Sequence, residues 1–102
     1  MISNEVFRKM ALSFAGAIEL LHFYRASFRV NKKIFANLLE KEQLAMLKLP
    51  LIEQSVFCAF DKMIIYPVPG GWGTKGATYV ELKKVKKGML KDAMTVAFNN
   101  IK

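Results

Sequence analysis

The sequence holds one cysteine, one histidine and one tryptophan in 102 residues, and half as many acidic as basic side chains. Cys58 has no partner for a disulfide within the chain, so stability must come from packing, and the chain fits a reducing, cytoplasmic setting. It falls on an amphipathic stretch and reads as a buried structural thiol. His22, beside Phe23 and Tyr24, reads as a packed or hydrogen-bonded residue. No Cys, His or carboxylate cluster has metal-ligand spacing, so neither metal nor cofactor is expected. Paired carboxylates are missing, as is a nucleophile with a base at informative spacing, so the chain is not read as an enzyme. No apolar run approaches the roughly 18–20 residues of a membrane span. The N-terminus shows no charged region leading into an apolar block and cleavage site, so neither a membrane partner nor a secretory leader is expected. Linkers, repeats and low-complexity tracts are absent too, and residues 1–102 read as one domain.

What is present is a core. Apolar residues make up 53% of the chain, enough to exclude disorder. Ser3 or Asn4 caps a first helix, with Val6, Phe7, Met10, Ala11 and Phe14 on one face and Gly16 as its stop. Ile18–Arg25 reads as a connector of mixed character. Ser27–Val30 and Lys33–Leu39 form a hairpin through a tight Asn31–Lys32 turn, the asparagine tolerating positive φ. Ile34, Ala36 and Leu38 face one way along the second strand; Phe35, Asn37 and Leu39 face the other. Leu44–Leu49 reads as a third strand with Ala45, Leu47 and Leu49 inward, although its residues also favour a helix. Pro50 suits the first turn of a second helix, whose buried stripe is expected to be Ile52, Val56, Ala59 and Phe60, with Phe57 and Cys58 alongside. A last helix starts near Lys87 or Gly88 and buries Leu90, Ala93, Met94, Ala97 and Ile101. The predicted class is α+β: helix, three strands, helix, two strands, helix, with the helices on one face of an antiparallel sheet.

The stretch 63–83 organises this plan. Ile64, Ile65, Tyr66 and Val68 favour an extended chain, while Pro67 and Pro69 confine it to an edge. Tyr79, Glu81 and Lys83 alternate with Val80 and Leu82 in a second strand. Between them, Gly71-Trp72-Gly73-Thr74-Lys75-Gly76 spells G-x-G-x-x-G. A dinucleotide fingerprint needs a helix after the last glycine, and here a strand follows, so the stretch reads as a flexible hairpin turn. Trp72 reads as a cover folded over the sheet, with stacking on a base or anchoring a partner as the alternative.

Glu19-Leu20-Leu21-His22-Phe23, Ser27-Phe28-Arg29-Val30, Lys33-Ile34-Phe35-Ala36, and Gly71-Trp72-Gly73 through Gly76 to Val80-Glu81-Leu82 carry a further signal. Together they resemble the YjbR/MmcQ family of small bacterial proteins, from Val6 to the end of the sequence. Leu21 stands where that pattern is expected to hold proline. The resemblance implies a frataxin-like or secretion-chaperone-like two-layer fold and a "double wing" type of DNA binding. The wings here are the hairpins turning at Asn31–Lys32 and Gly70–Gly76. Frataxin iron chemistry is not implied, because the first helix offers Glu5 as its only carboxylate.

Sixteen basic residues against eight acidic ones give a net charge of +8, which favours phosphates or other anionic partners. The candidate DNA-binding residues are Arg29, Lys32, Lys33, Trp72, Lys75, Lys83, Lys84, Lys86 and Lys87. Lys91 adds to the last cluster. Lys83 and Lys84 point to opposite sides if the strand persists. With no base-reading helix evident, contact is expected mostly with the backbone. Two alternatives stand beside DNA: a protein-interaction, chaperone-like or self-associating module using a sheet face with Phe35, Leu39 and Tyr79, and a small-ligand site built from His22, Tyr24, Arg25 and Trp72.

Overall fold

The computed structural model describes residues 1–22 and 25–101, with the backbone alone at His22. Its elements follow from the patterns above with two additions. The Ser3 hydroxyl accepts from the Val6 amide at 3.1 Å, which satisfies one of the free donors of helix α1 (Asn4–Leu12). Strands β1 (Ile18–His22), β2 (Arg25–Val30), β3 (Lys33–Leu39) and β4 (Leu44–Lys48) follow as an antiparallel meander. Then come α2 (Leu51–Cys58), β5 (Ile65–Pro67), a single helical turn α3 (Gly71–Thr74), β6 (Ala77–Glu81) and α4 (Lys87–Ile101). The strands make one antiparallel sheet in the order β1-β2-β3-β4-β6-β5. The fold is α+β, as its sequence pattern predicts.

The first addition is β1, where the sequence suggests only a connector. It pairs with β2 from Ile18↔Arg29 to His22↔Arg25. As an edge strand it leaves Ile18, Leu20 and Leu21 exposed, so no inward–outward alternation marks it. The second is α3, which puts a helical turn where a plain hairpin turn is expected.

One face of the sheet is covered. Cross-strand rows Phe28–Ala36–Leu47–Thr78 and Ala26–Leu38–Ala45–Val80 are buried beneath the helices. Phe7 of α1 meets Phe28 edge-on at 5.6 Å, and Phe35 packs edge-on against Phe14 and Phe98. Leu90, Ala93, Met94 and Ala97 of α4 complete the core; Phe98 takes the place expected for Ile101, which is only half-buried. The Arg8 guanidinium ties the layers together. It donates to Glu19 of β1 at 2.9 Å, to Glu5 at 3.1 Å and to Glu40 beyond β3, and the bond to Glu19 is the largest influence raising its pKa.

Two expected burial patterns are wrong. The register shifts between Phe28 and Arg29, so that Phe28 faces Ala36 while Arg29 faces Ile34. Phe35 is the extra residue of this bulge and turns into the core, leaving Ile34 on the opposite face. The sheet face of Leu39 and Tyr79 therefore lacks Phe35. Helix α2 is also rotated from its predicted stripe. Pro50 caps it from just outside, and its inner side is Gln54, Phe57 and Cys58. Gln54 sets the rotation: its amide donates to Gly73 O at 2.9 Å, Ala77 O at 3.2 Å and Thr78 Oγ1 at 3.0 Å. Ile52, 75% exposed, and Phe60, 67% exposed, instead join Leu51, Val56 and Met63 on the outside. Ala59 is exposed as well.

Candidate nucleic-acid interface

Register decides which basic residues meet. Lys48 of β4 pairs with Ala77 of β6, and Ala36 of β3 pairs with Leu47. The end of β4 therefore lies beside the start of β3 and the start of β6. Both hairpin turns consequently stand at the same end of the sheet, with β4 between them. Asn31 and Lys32 have φ of 51° and 70°, the backbone twist of a tight hairpin turn. This turn presents Lys32 and Lys33 to solvent, with half-buried Arg29 behind; across β4, the other turn presents Lys75 and Trp72. β3 and β6 flank one intervening strand, so the turns start about 10 Å apart. Among the described residues, Arg29, Lys32, Lys33, Lys48 and Lys75 form no ion pair.

The lysine run lies elsewhere. β6 ends at Glu81 beside Leu44, at the sheet end opposite the hairpin turns. Lys83, Lys84, Lys86 and Lys87 follow there, all exposed around buried Val85. From this corner α4 runs back toward the hairpin end, where Asn100 Nδ2 donates to the Lys48 carbonyl at 3.3 Å. A 15-residue helix is about 22 Å long, so the nine candidates form two groups separated by roughly that distance.

The glycine-rich turn is held close to its neighbours. A Cβ built on Gly73 would lie 1.9 Å from Val68 O, and one on Gly76 would lie 2.1 Å from Leu49 O. Gly76 also has φ of +107°, outside the range of side-chain-bearing residues. Thr78 donates to Gly76 O at 2.9 Å and accepts from Gln54. The turn thus presents Trp72 outward at 68% exposure, rather than folding it over the sheet as a cover.

Between the turns, the sheet face away from the helices is hollow. A groove of about 360 Å³ is lined by Arg25, Asn37, Met46, Lys48, Trp72 and Tyr79 among others. Asn37, Met46 and Tyr79 form one cross-strand row, continued by Tyr66 of β5, whose ring meets Tyr79 at 5.9 Å. Arg25 and Trp72 of the predicted ligand set line this groove together; Tyr24 and the His22 side chain lie outside the described residues. Of the expected sheet face, Leu39 and Tyr79 line this groove, and the β3–β4–β6 pairing adds Lys48, which no local pattern singles out. Among the described residues, no group of three or more His, Cys, Asp or Glu is placed to hold a metal ion, and no helix is long and apolar enough to cross a membrane.

No family model and no curated protein sequence matches this chain. A solved structure does. The crystal structure of Deinococcus radiodurans protein DR2400, which carries a DUF419 domain, superposes with a TM-score of 0.86. The match covers 99% of this chain and 79% of that one at 14% identity. DUF419 is the YjbR/MmcQ family. At this identity the likeness is one of fold.

Tyr66 of β5, beside Tyr79, donates its hydroxyl to Glu81. Burial, then this bond to a carboxylate, pushes its pKa from 10.0 up to about 12. The neutral phenol is favoured in the folded state. Its stabilising contribution is full below pH 10 and is lost as pH rises through about 12. Tyr66→Phe should therefore lose less stability than the wild type across that window, as read by urea midpoints at stepped pH. Equal losses would remove Tyr66 as the titrating group.

Proposed function

We propose that the protein is a non-catalytic nucleic-acid-binding module that holds the phosphate backbone with the hairpin end of its sheet. The observation that supports this reading is the position of the two turns: Lys32 and Lys33 on one side, Lys75 and Trp72 on the other, with Lys48 between. Unpaired lysines on two adjacent projections suit phosphates along a strand, and an exposed indole suits a base. On this reading the two hairpins are the wings that the family resemblance implies. The run Lys83–Lys87 is a second positive surface on this reading, too far away to share one short contact.

Fluorescence anisotropy with labelled DNA at about 50 and 200 mM salt tests the assignment, because phosphate contacts weaken sharply over that range. The triple variant Lys32→Glu, Lys33→Glu, Lys75→Glu should abolish binding, and neutralising the same three lysines to Gln should lower the salt slope by about three. Reversing Lys83, Lys84, Lys86 and Lys87 should change affinity only a few-fold. The opposite pattern moves the site to the lysine run. Absence of binding at low salt and tens of micromolar protein sinks the reading.

The outward apolar strip on α2 supports a second reading, a protein-interaction module. Leu51, Ile52, Val56, Phe60 and Met63 are exposed together, a surface that soluble chains commonly use for partners. Co-purification that is lost on Ile52→Glu, with DNA affinity unchanged, would favour it.

A further inference from the structure

We infer that the groove between the hairpins is a nucleotide pocket, taking one unstacked base with its phosphate at Lys48. This deepens the nucleic-acid reading and rests on it, but the pocket can be tested separately. Asn37 is the polar centre of the groove. This residue is 6% exposed, mid-strand, and lies on the sheet face that carries no helix. Among the described residues, its Oδ1 accepts no hydrogen bond. A buried carboxamide oxygen without a donor is costly to keep. The residue lines the groove, so turning the carboxamide about its last side-chain bond would bring that oxygen to a ligand N–H.

The surroundings narrow the ligand. Tyr79, Met46 and exposed Trp72 offer flat or polarisable surface, which suits a planar ring. Every nucleobase joins such a ring to an N–H donor on its edge. Lys48 lies two residues along the strand from Met46, the residue paired with Asn37, and thus about 7 Å toward the hairpin end. That interval leaves room for one sugar between a base over Asn37 and a phosphate at Lys48. Arg25, paired with Leu39, closes the other end with guanidinium donors suited to base acceptors. The cavity, about 360 Å³, is of the size that small-molecule sites take.

The chemistry is shared by a free nucleotide and by an unpaired residue of a strand. Trp72, the only tryptophan, lines the groove and reports on both. Three probes are titrated against its emission: 5′-AMP, adenosine, and a short single strand compared with a fully paired duplex of the same sequence. Quenching by 5′-AMP with a Kd near about 1 mM is expected. Adenosine should bind about tenfold more weakly, the loss of one charge-assisted contact. The single strand should outcompete the duplex. Lys48→Ala, at a half-exposed position, should erase the difference between 5′-AMP and adenosine. Asn37→Leu should weaken both about tenfold, its folding checked by circular dichroism.

If 5′-AMP leaves the emission unchanged up to about 10 mM while DNA still binds, the pocket is overturned and the backbone reading survives. If quenching occurs but Lys48→Ala leaves it unaltered, the base merely stacks on exposed Trp72 and the pocket is again overturned. If 5′-AMP binds with the expected dependence on Lys48 and no strand binds, the pocket stands as a free-nucleotide site and the backbone reading falls.

Discussion

Replacing Gly76 with alanine should destabilise the protein by about 3 kcal/mol or more, the cost of a strained backbone added to a collision that cannot relax. The new Cβ would lie 2.1 Å from the Leu49 carbonyl oxygen and 3.2 Å from its carbon. Both are backbone atoms, and Leu49 N donates to Gly76 O at 2.9 Å, so separating them breaks a bond that closes β4 against the turn. The φ of +107° adds strain whatever the space. Gly88 supplies the control. It lies in the first turn of α4 with nothing within 4 Å of a built Cβ. Gly88→Ala should be neutral or stabilising by up to about 1 kcal/mol, since alanine favours the helix. Urea midpoints with unchanged m-values decide between them. A Gly76→Ala midpoint equal to the wild type's would mean that the turn does not approach Leu49 as described.

Gln54→Ala should cost about 2–3 kcal/mol, because buried acceptors lose their donor. Two amide hydrogens serve three acceptors from two segments, the carbonyls of Gly73 and Ala77 and the hydroxyl of Thr78. Deleting the amide leaves these carbonyls without that donor and frees α2 from the glycine-rich turn. Gln54→Glu tests the donor role more sharply. A carboxylate aimed at two carbonyl oxygens is repelled, so folding would raise its pKa. Such a group stabilises below its unfolded pKa and loses that contribution as pH rises, so the variant should approach wild-type stability near pH 4 and fall behind by pH 7. A pH-independent deficit would show that Gln54 acts through shape alone. Trp72 emission adds a second readout, since the same amide holds the turn that presents it.

The sequence was most informative where one periodicity ruled. α1, α4 and the alternation Ala45, Leu47, Leu49 sit where their patterns put them, because each buries a single face against the core. Pro67 correctly confined its strand to an edge. Local pattern failed where a longer-range contact overrode it. The bulge at Phe28–Arg29 turned Phe35 inward, a shift that depends on pairing between two strands and not on either alone. Gln54 outweighed the apolar residues of α2 because its three acceptors come from segments 19 to 24 residues away. The candidate site was half legible for the same reason. Both basic hairpins were evident, but their shared end, the remoteness of Lys83–Lys87 and the groove all depend on β6 pairing beside β4.

The two borders of the sheet are chemically unequal. β5 is three residues long and ends in Pro67, which has no N–H to offer, with Pro69 just beyond. β1 is five residues long, bears exposed Ile18, Leu20 and Leu21, and contains no proline. Only one border can template a further strand. Any self-association by strand addition therefore joins β1 to β1 about a two-fold axis and leaves proline-blunted β5 at both outer margins. Were copies to join in this way, addition would stop at a pair, because the blunted outer margins offer no second edge for open-ended stacking.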